Sequence, residues 1–112
     1  METNKQVDHR WSVRQALTLP VKLYEDGEPI AYGRTQNVGI GGMYVEFSGL
    51  KRKRLPTDGR LSVAFSITTN GNTTHHRLPA AVVWSQDSGA GLMFTDFNVE
   101  TVHTLRDILY PQ

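Results

Sequence analysis

The chain of 112 residues contains no cysteine. Disulfides, thiolate catalysis and cysteine-ligated zinc are therefore excluded together. No apolar run approaches the roughly 20 residues needed to cross a bilayer, and the amino terminus lacks the apolar stretch of a signal peptide. No membrane insertion and a cytoplasmic location are expected. Charge of one sign is also missing: 12 Lys and Arg stand against 11 Asp and Glu, for a net charge of +1. That balance does not call for a bulk polyanion partner, so any electrostatic function must come from local clustering. There is no internal repeat and no low-complexity segment. The length suits one small domain with a single core.

Signals for catalysis are equally absent. No nucleophile motif and no strand-to-helix phosphate loop occurs. His75 and His76 are adjacent, so in a strand they point to opposite faces and cannot share a metal ion. His9 and His103 are isolated, and Asp87, Asp96 and Asp107 are scattered. The expectation is a binding module, not an enzyme, with no catalytic residue, no metal and no cofactor.

What is present is a succession of short alternating segments. Leu17, Leu19, Val21 and Leu23 alternate with Thr18, Pro20, Lys22 and Tyr24, and Pro20 marks an edge or a bulge. Asp26-Gly27 is a hairpin turn, and residues 30–36 read as the returning strand, followed directly by a turn over residues 37–42. Met43, Val45 and Phe47 define a third strand, and residues 48–59 read as a loop. Leu61, Val63, Phe65 and Ile67 define a fourth, closed by Asn70-Gly71-Asn72. Residues 75–84 and 91–94 supply two more. Six short antiparallel strands suggest an all-β fold, a small barrel that removes exposed sheet edges.

The period changes near the carboxyl end. Val99, Val102, Leu105 and Leu109 share one face of a helix over residues 99–110, with Asn98 as N-cap and Pro111 as terminator. This helix is expected to cover a barrel mouth or side. Residues 1–9 are polar and are expected to form a mobile arm ahead of a single domain over residues 10–112.

Two segments carry binding chemistry. Arg10-Trp-Ser-Val-Arg14 places two guanidinium forks four residues apart, and after a 22-residue gap comes Asn37-Val-Gly39-Ile-Gly-Gly42. Arginine forks match planar or anionic acceptors, and a small Asn/Gly segment lets a ligand approach the backbone closely. Farther on, Ala81-Val-Val-Trp84 leads through a turn to Gly89-Ala-Gly91-Leu-Met-Phe94.

These three segments, in this order, resemble the PilZ domain, a bacterial receptor module for cyclic di-GMP whose pattern is RxxxR followed by (D/N)xSxxG. Arg10 and Arg14 match the first half, and Asn37 and Gly42 the second. Gly39 departs from the pattern, standing where the family has serine. The VxW and GxGxxF segments resemble the family's closing strands.

The resemblance implies cyclic di-GMP as ligand and Arg10, Arg14, Asn37, Gly39, Gly42 and Trp84 as its contacts. Each guanine of that ligand offers O6 and N7 as a paired acceptor edge that an arginine fork meets bidentately. Asn37 can bond a guanine or phosphate while also shaping its turn. Gly42 permits an unusual backbone angle or a close approach. At Gly39 a hydroxyl is missing, which would cost about 0.5–1.5 kcal/mol if its bond mattered. Trp84 either packs on a guanine or belongs to the core or rim.

The implied function is a receptor or adaptor whose arm closes on the nucleotide and changes the surface shown to a downstream protein. The alternative is a PilZ-like adaptor with weak or no nucleotide affinity. Lys51-Arg52-Lys53-Arg54 is a rival basic site. Its nearest aromatics in sequence are Phe47 and Phe65, not interleaved as single-strand binders require, which argues against a nucleic-acid partner.

Overall fold

The computed structural model describes residues 14–51, 55–56 and 60–110, with side chains from Ala16 onward. The arm over residues 1–9, Arg10, Trp11, residues 52–54 and Pro111 lie outside the described residues. Among the described residues there are seven strands: β1 (Arg14–Gln15), β2 (Pro20–Glu25), β3 (Glu28–Gly39), β4 (Gly42–Leu50), β5 (Leu61–Thr69), β6 (Asn72–Gln86) and β7 (Gly89–Phe94). One helix, α1 (Val99–Leu109), follows them.

All neighbouring strands are antiparallel, in the order β1-β3-β2-β5-β6-β7-β4, and β4 pairs back onto β3. Every strand except β1 thus belongs to a closed ring, the small barrel that the alternating pattern predicts. The long strands make closure possible by changing partner along their length. β6 pairs with β5 from Asn72 to Ala80 and with β7 from Ala80 to Gln86. Asp26 (φ 51°) with Gly27 (φ 85°), and Asn70 (φ 51°) with Gly71 (φ 81°), form the two tight hairpin turns. Both central residues are left-handed, the geometry whose twist matches the flanking strands.

Alternation fills the ring. Val21 and Leu23 of β2, Val38 of β3, Met43 and Val45 of β4, Leu61, Val63, Phe65 and Ile67 of β5, and Leu92 and Phe94 of β7 are all buried. Leu105 and Leu109 of α1 join the same core. The helix is started by Asn98, whose side-chain oxygen accepts from the Thr101 amide at 2.8 Å. His75 and His76 do face opposite ways. His75 is exposed and lies 2.8 Å from the Ser66 hydroxyl, while His76 is 4% exposed and stacks on Phe65 at 5.4 Å.

Several boundaries differ from the sequence reading, and for identifiable reasons. Residues 16–19 are not strand, although Leu17 and Leu19 keep their half-buried side; β2 starts at Pro20, where the missing amide is tolerated. β4 runs on to Leu50 and β7 starts at Gly89. The expected turn over residues 37–42 is mostly sheet: β3 continues to Gly39, β4 begins at Gly42, and only Ile40-Gly41 connects them. A bulge between Thr35 and Asn37 lets β3 continue, because the extra residue re-aims the strand and keeps its pairing with β4.

The unanticipated β1 has a local cause. Thr35, fully buried, accepts from the Leu19 amide at 2.8 Å through Oγ1 and donates the same hydroxyl to the Leu17 carbonyl. Its own amide donates to the Leu19 carbonyl at 2.9 Å. This clasp holds residues 17–19 beside β3, so the chain upstream lands on the end of β3, with Arg14 opposite Gly39 and Gln15 opposite Val38.

Candidate functional site

Strand register assembles a row of side chains that are far apart in sequence. Trp84 of β6 lies opposite Gly91 of β7, Gly91 opposite Tyr44 of β4, and Tyr44 opposite Asn37 of β3. Neighbouring strands are spaced by about 4.8 Å, so the row crosses four strands on the outer face. Two residues beyond Asn37 on β3 stands Gly39, with Arg14 beside it on β1. One sheet surface thus brings together Arg14, Asn37, Gly39 and Trp84, four of the six residues named from sequence. Gly42 lies at the start of β4, and Arg10 is outside the described residues.

The row lines a groove of about 280 Å³ bounded by Asn37, Tyr44, Val83, Trp84 and Gly91. Buried Met43 and Leu92 form part of its base. Trp84 is 43% exposed, and its indole lies 5.0 Å from the Tyr44 ring, tilted by 47°. Such a tilted aromatic pair stabilises by about 0.5–1.5 kcal/mol beyond its burial. A bulge in β6 between Val82 and Trp84 sets the indole over β7. The side chain therefore belongs to the rim and not to the core.

The glycines explain how two large rings fit there. A Cβ on Gly91 would come within 2.4 Å of the Trp84 Nε1, and one on Gly89 within 3.0 Å of the Tyr44 Cε1. Gly91 thus clears the outer face of β7 for the indole, whereas Gly89, where a Cβ would meet the Val45 carbonyl oxygen at 2.5 Å, chiefly lets β7 approach β4; Phe94 points into the core. Gly42 serves likewise: a Cβ there would meet the Leu92 carbonyl oxygen at 2.1 Å. It permits close approach of β4 to β7 with no left-handed backbone angle, the second of the two roles expected for it. Gly39 is a buried strand residue. Tyr44 is the site residue that sequence reasoning missed. No local motif marks it; its place in the row follows from its register with Asn37 and Gly91.

Among the described residues, no group of three His, Asp or Glu side chains is placed to hold a metal ion. Among the described residues, no helix is long and apolar enough to cross a membrane.

The class of protein that these features define is a small antiparallel barrel with an outer aromatic groove, flanked by β1. The chain belongs to the PilZ domain family, whose model matches residues 8–110. Among solved structures it is similar to the PilZ domain of CeSA from a cellulose-synthesizing bacterium, at 21% identity and a TM-score of 0.61, over 88% of this chain and 95% of that one. It is also similar to the Bacillus subtilis inhibitor of motility MotI/DgrA, at 18% identity and a TM-score of 0.65. That match covers 87% of this chain and 47% of the other, so the present chain spans about half the length of that protein. No curated protein matches the chain.

Proposed function

We infer that the protein is a cyclic di-GMP receptor that works as a cytoplasmic adaptor. The observation that carries this reading is the register that sets Arg14 against Gly39 on the strand bearing Asn37, in line with Tyr44 and Trp84. Arg10 and Arg14 supply guanidinium forks for guanine edges and phosphates, Asn37 a hydrogen bond, and the Trp84 indole an apolar face for a guanine. Gly42 serves the site by letting β4 close on β7. Each charged contact contributes about 1.5–3 kcal/mol. Nucleotide contacts made by the amino-terminal segment in one arrangement and not in another would shift its population, and with it the surface offered to a downstream protein.

Isothermal titration with cyclic di-GMP tests the reading, with GTP and the Arg10→Ala, Arg14→Ala double variant as controls. Saturable binding at micromolar or tighter affinity, about −8 kcal/mol, that vanishes in the variant supports it. No binding at high ligand concentration sinks it. The second reading, an adaptor working through protein contacts alone, is favoured by one observation: Gly39 carries no hydroxyl where the family pattern has serine.

A further inference from the structure

Away from the aromatic groove, on strands β3, β2, β5 and β6, the outer face has a composition that nucleotide reception does not use. Register forms a second row there: Tyr32 of β3 lies opposite Lys22 of β2, Lys22 opposite Ala64 of β5, and Ala64 opposite Arg77 of β6. Tyr24 and Ser62 lie opposite each other one step along. Two adjoining concavities of about 220 and 390 Å³ share Lys22 and Tyr32 as common wall. The first also includes Tyr24, Gly49 and Lys51; the second includes Ala64, Ser66 and His75. Among the described residues, no acidic side chain lines either one.

One ring here is presented to solvent, that of Tyr32, and one is half-buried beneath a guanidinium, that of Tyr24. Tyr32 is 57% exposed and lies down on Gly49, where a Cβ would come within 2.4 Å of its Cε1. The Arg77 guanidinium sits 4.2 Å above the Tyr24 ring, and its Nε donates to the Ser62 hydroxyl at 3.1 Å. Arg77 is exposed while held in place from below. Lys51 is anchored by its backbone amide, which donates to the Ile30 carbonyl at 2.8 Å. The surface thus alternates stacking planes with cations over a floor of small residues, Gly49 and Ala64. Phe47 and Phe65, the first aromatics on either side of the basic run in sequence, are half-buried and buried; folding brings Tyr24 and Tyr32 to Lys51 instead. The interleaving that the linear sequence lacks is present on the folded surface.

We propose that this face binds single-stranded nucleic acid, with Tyr32 and the Arg77 guanidinium as base-stacking platforms and Lys22 and Lys51 as phosphate partners. Stacking on exposed rings is sequence-tolerant, so the expected ligand is a single strand of mixed sequence, while duplex, whose bases are already stacked, is excluded. An acidic peptide would use the cations and leave the exposed Tyr32 ring unused. With a net charge of +1 on the whole chain, long-range attraction to the strand is small, and binding depends on salt.

Fluorescence anisotropy with labelled U15 and dT15 at 50 mM salt tests the proposal. The expected result is saturable binding with a log–log salt slope of about −1.4, from the two phosphate contacts at roughly 0.7 each. Tyr32→Ala with Lys22→Glu should weaken it by at least about tenfold. The milder Lys22→Ala, which leaves Tyr32 on Gly49, should lower the slope by about 0.7. Cyclic di-GMP titration should be unaffected by these changes, and oligonucleotide binding should survive Arg10→Ala, Arg14→Ala, so the two sites fail separately. No saturable binding, binding indifferent to Tyr32 and Lys22, or equal competition by polyglutamate or heparin would overturn the assignment.

Discussion

The imidazole Nδ1 of His76 lies 2.9 Å from the Thr101 hydroxyl, a buried link between β6 and α1 across 25 positions of sequence. On the other side of the ring, Nε2 lies 2.7 Å from the Thr74 hydroxyl. Both nitrogens are therefore occupied by groups that serve a neutral ring as donor on one side and acceptor on the other.

This pairing predicts how stability depends on pH. Burial holds the His76 imidazole below its ordinary value of 6.5; the Glu100 carboxylate opposes that shift, and His75 adds to it. The unfolded chain then binds a proton at a pH where the folded chain does not. The contribution is complete above about pH 6.5 and is lost as pH falls from there through the depressed folded value. Urea midpoints should drop between pH 7 and pH 5. Thr101→Ala, which leaves a buried ring nitrogen without its partner, should cost about 1–3 kcal/mol at neutral pH in the same melts.

Two glycine substitutions should separate site from scaffold. In Gly91→Ala the new methyl meets the Trp84 indole, which can swing outward, so cyclic di-GMP affinity should fall with little change in melting temperature. In Gly42→Ala it meets the Leu92 carbonyl, part of the backbone, and the fold should lose several degrees. Paired calorimetry and thermal melts check both.

Trp84→Ala should weaken cyclic di-GMP binding by about five- to a hundredfold, the range of one lost stacking contact, while Trp84→Phe retains most of it. The stability change in Trp84→Ala should stay near 1 kcal/mol, because the indole is half exposed and its main structural contact is Tyr44. Equal loss of affinity in both variants would remove stacking as the cause.

Gly39→Ser should tighten cyclic di-GMP binding by a few-fold to about tenfold, the value of one hydrogen bond. Gly39 has no left-handed backbone angle that would strain a serine. Unchanged or weaker binding by titration would mean that the strand in which Gly39 lies keeps the hydroxyl away from the ligand.

Turn chemistry made much of this fold legible. Asp26-Gly27 and Asn70-Gly71 announce their hairpins because only residues tolerant of left-handed angles fit there, and Asn98 announces α1 because its side chain caps a free amide. β1 was not legible, since two residues carry no period and their placement depends on the Thr35 hydroxyl 20 positions later. Asn37 and Gly39 read as a turn from composition, but a bulge and two flanking strands hold them in sheet. Arg14, Asn37 and Trp84 are named by the family resemblance, and strand register then places them on one sheet surface. Tyr44 is not, because its place in the row follows from pairing with β3 and β7, which no local pattern states.

The closed ring has a consequence for recruitment. Many regulatory modules capture a peptide by offering an open strand as a template and extending the sheet by one more backbone. Here, among the described residues, each ring strand has a neighbour on both sides but only over part of its length, as where β6 exchanges β5 for β7 at Ala80, and the strand outside the ring, β1, is two residues long. No whole strand is left as a template; only short half-paired stretches remain. A partner that reads relief and charge on the outside would instead sense a change in side-chain display, such as a filled groove or a covered indole.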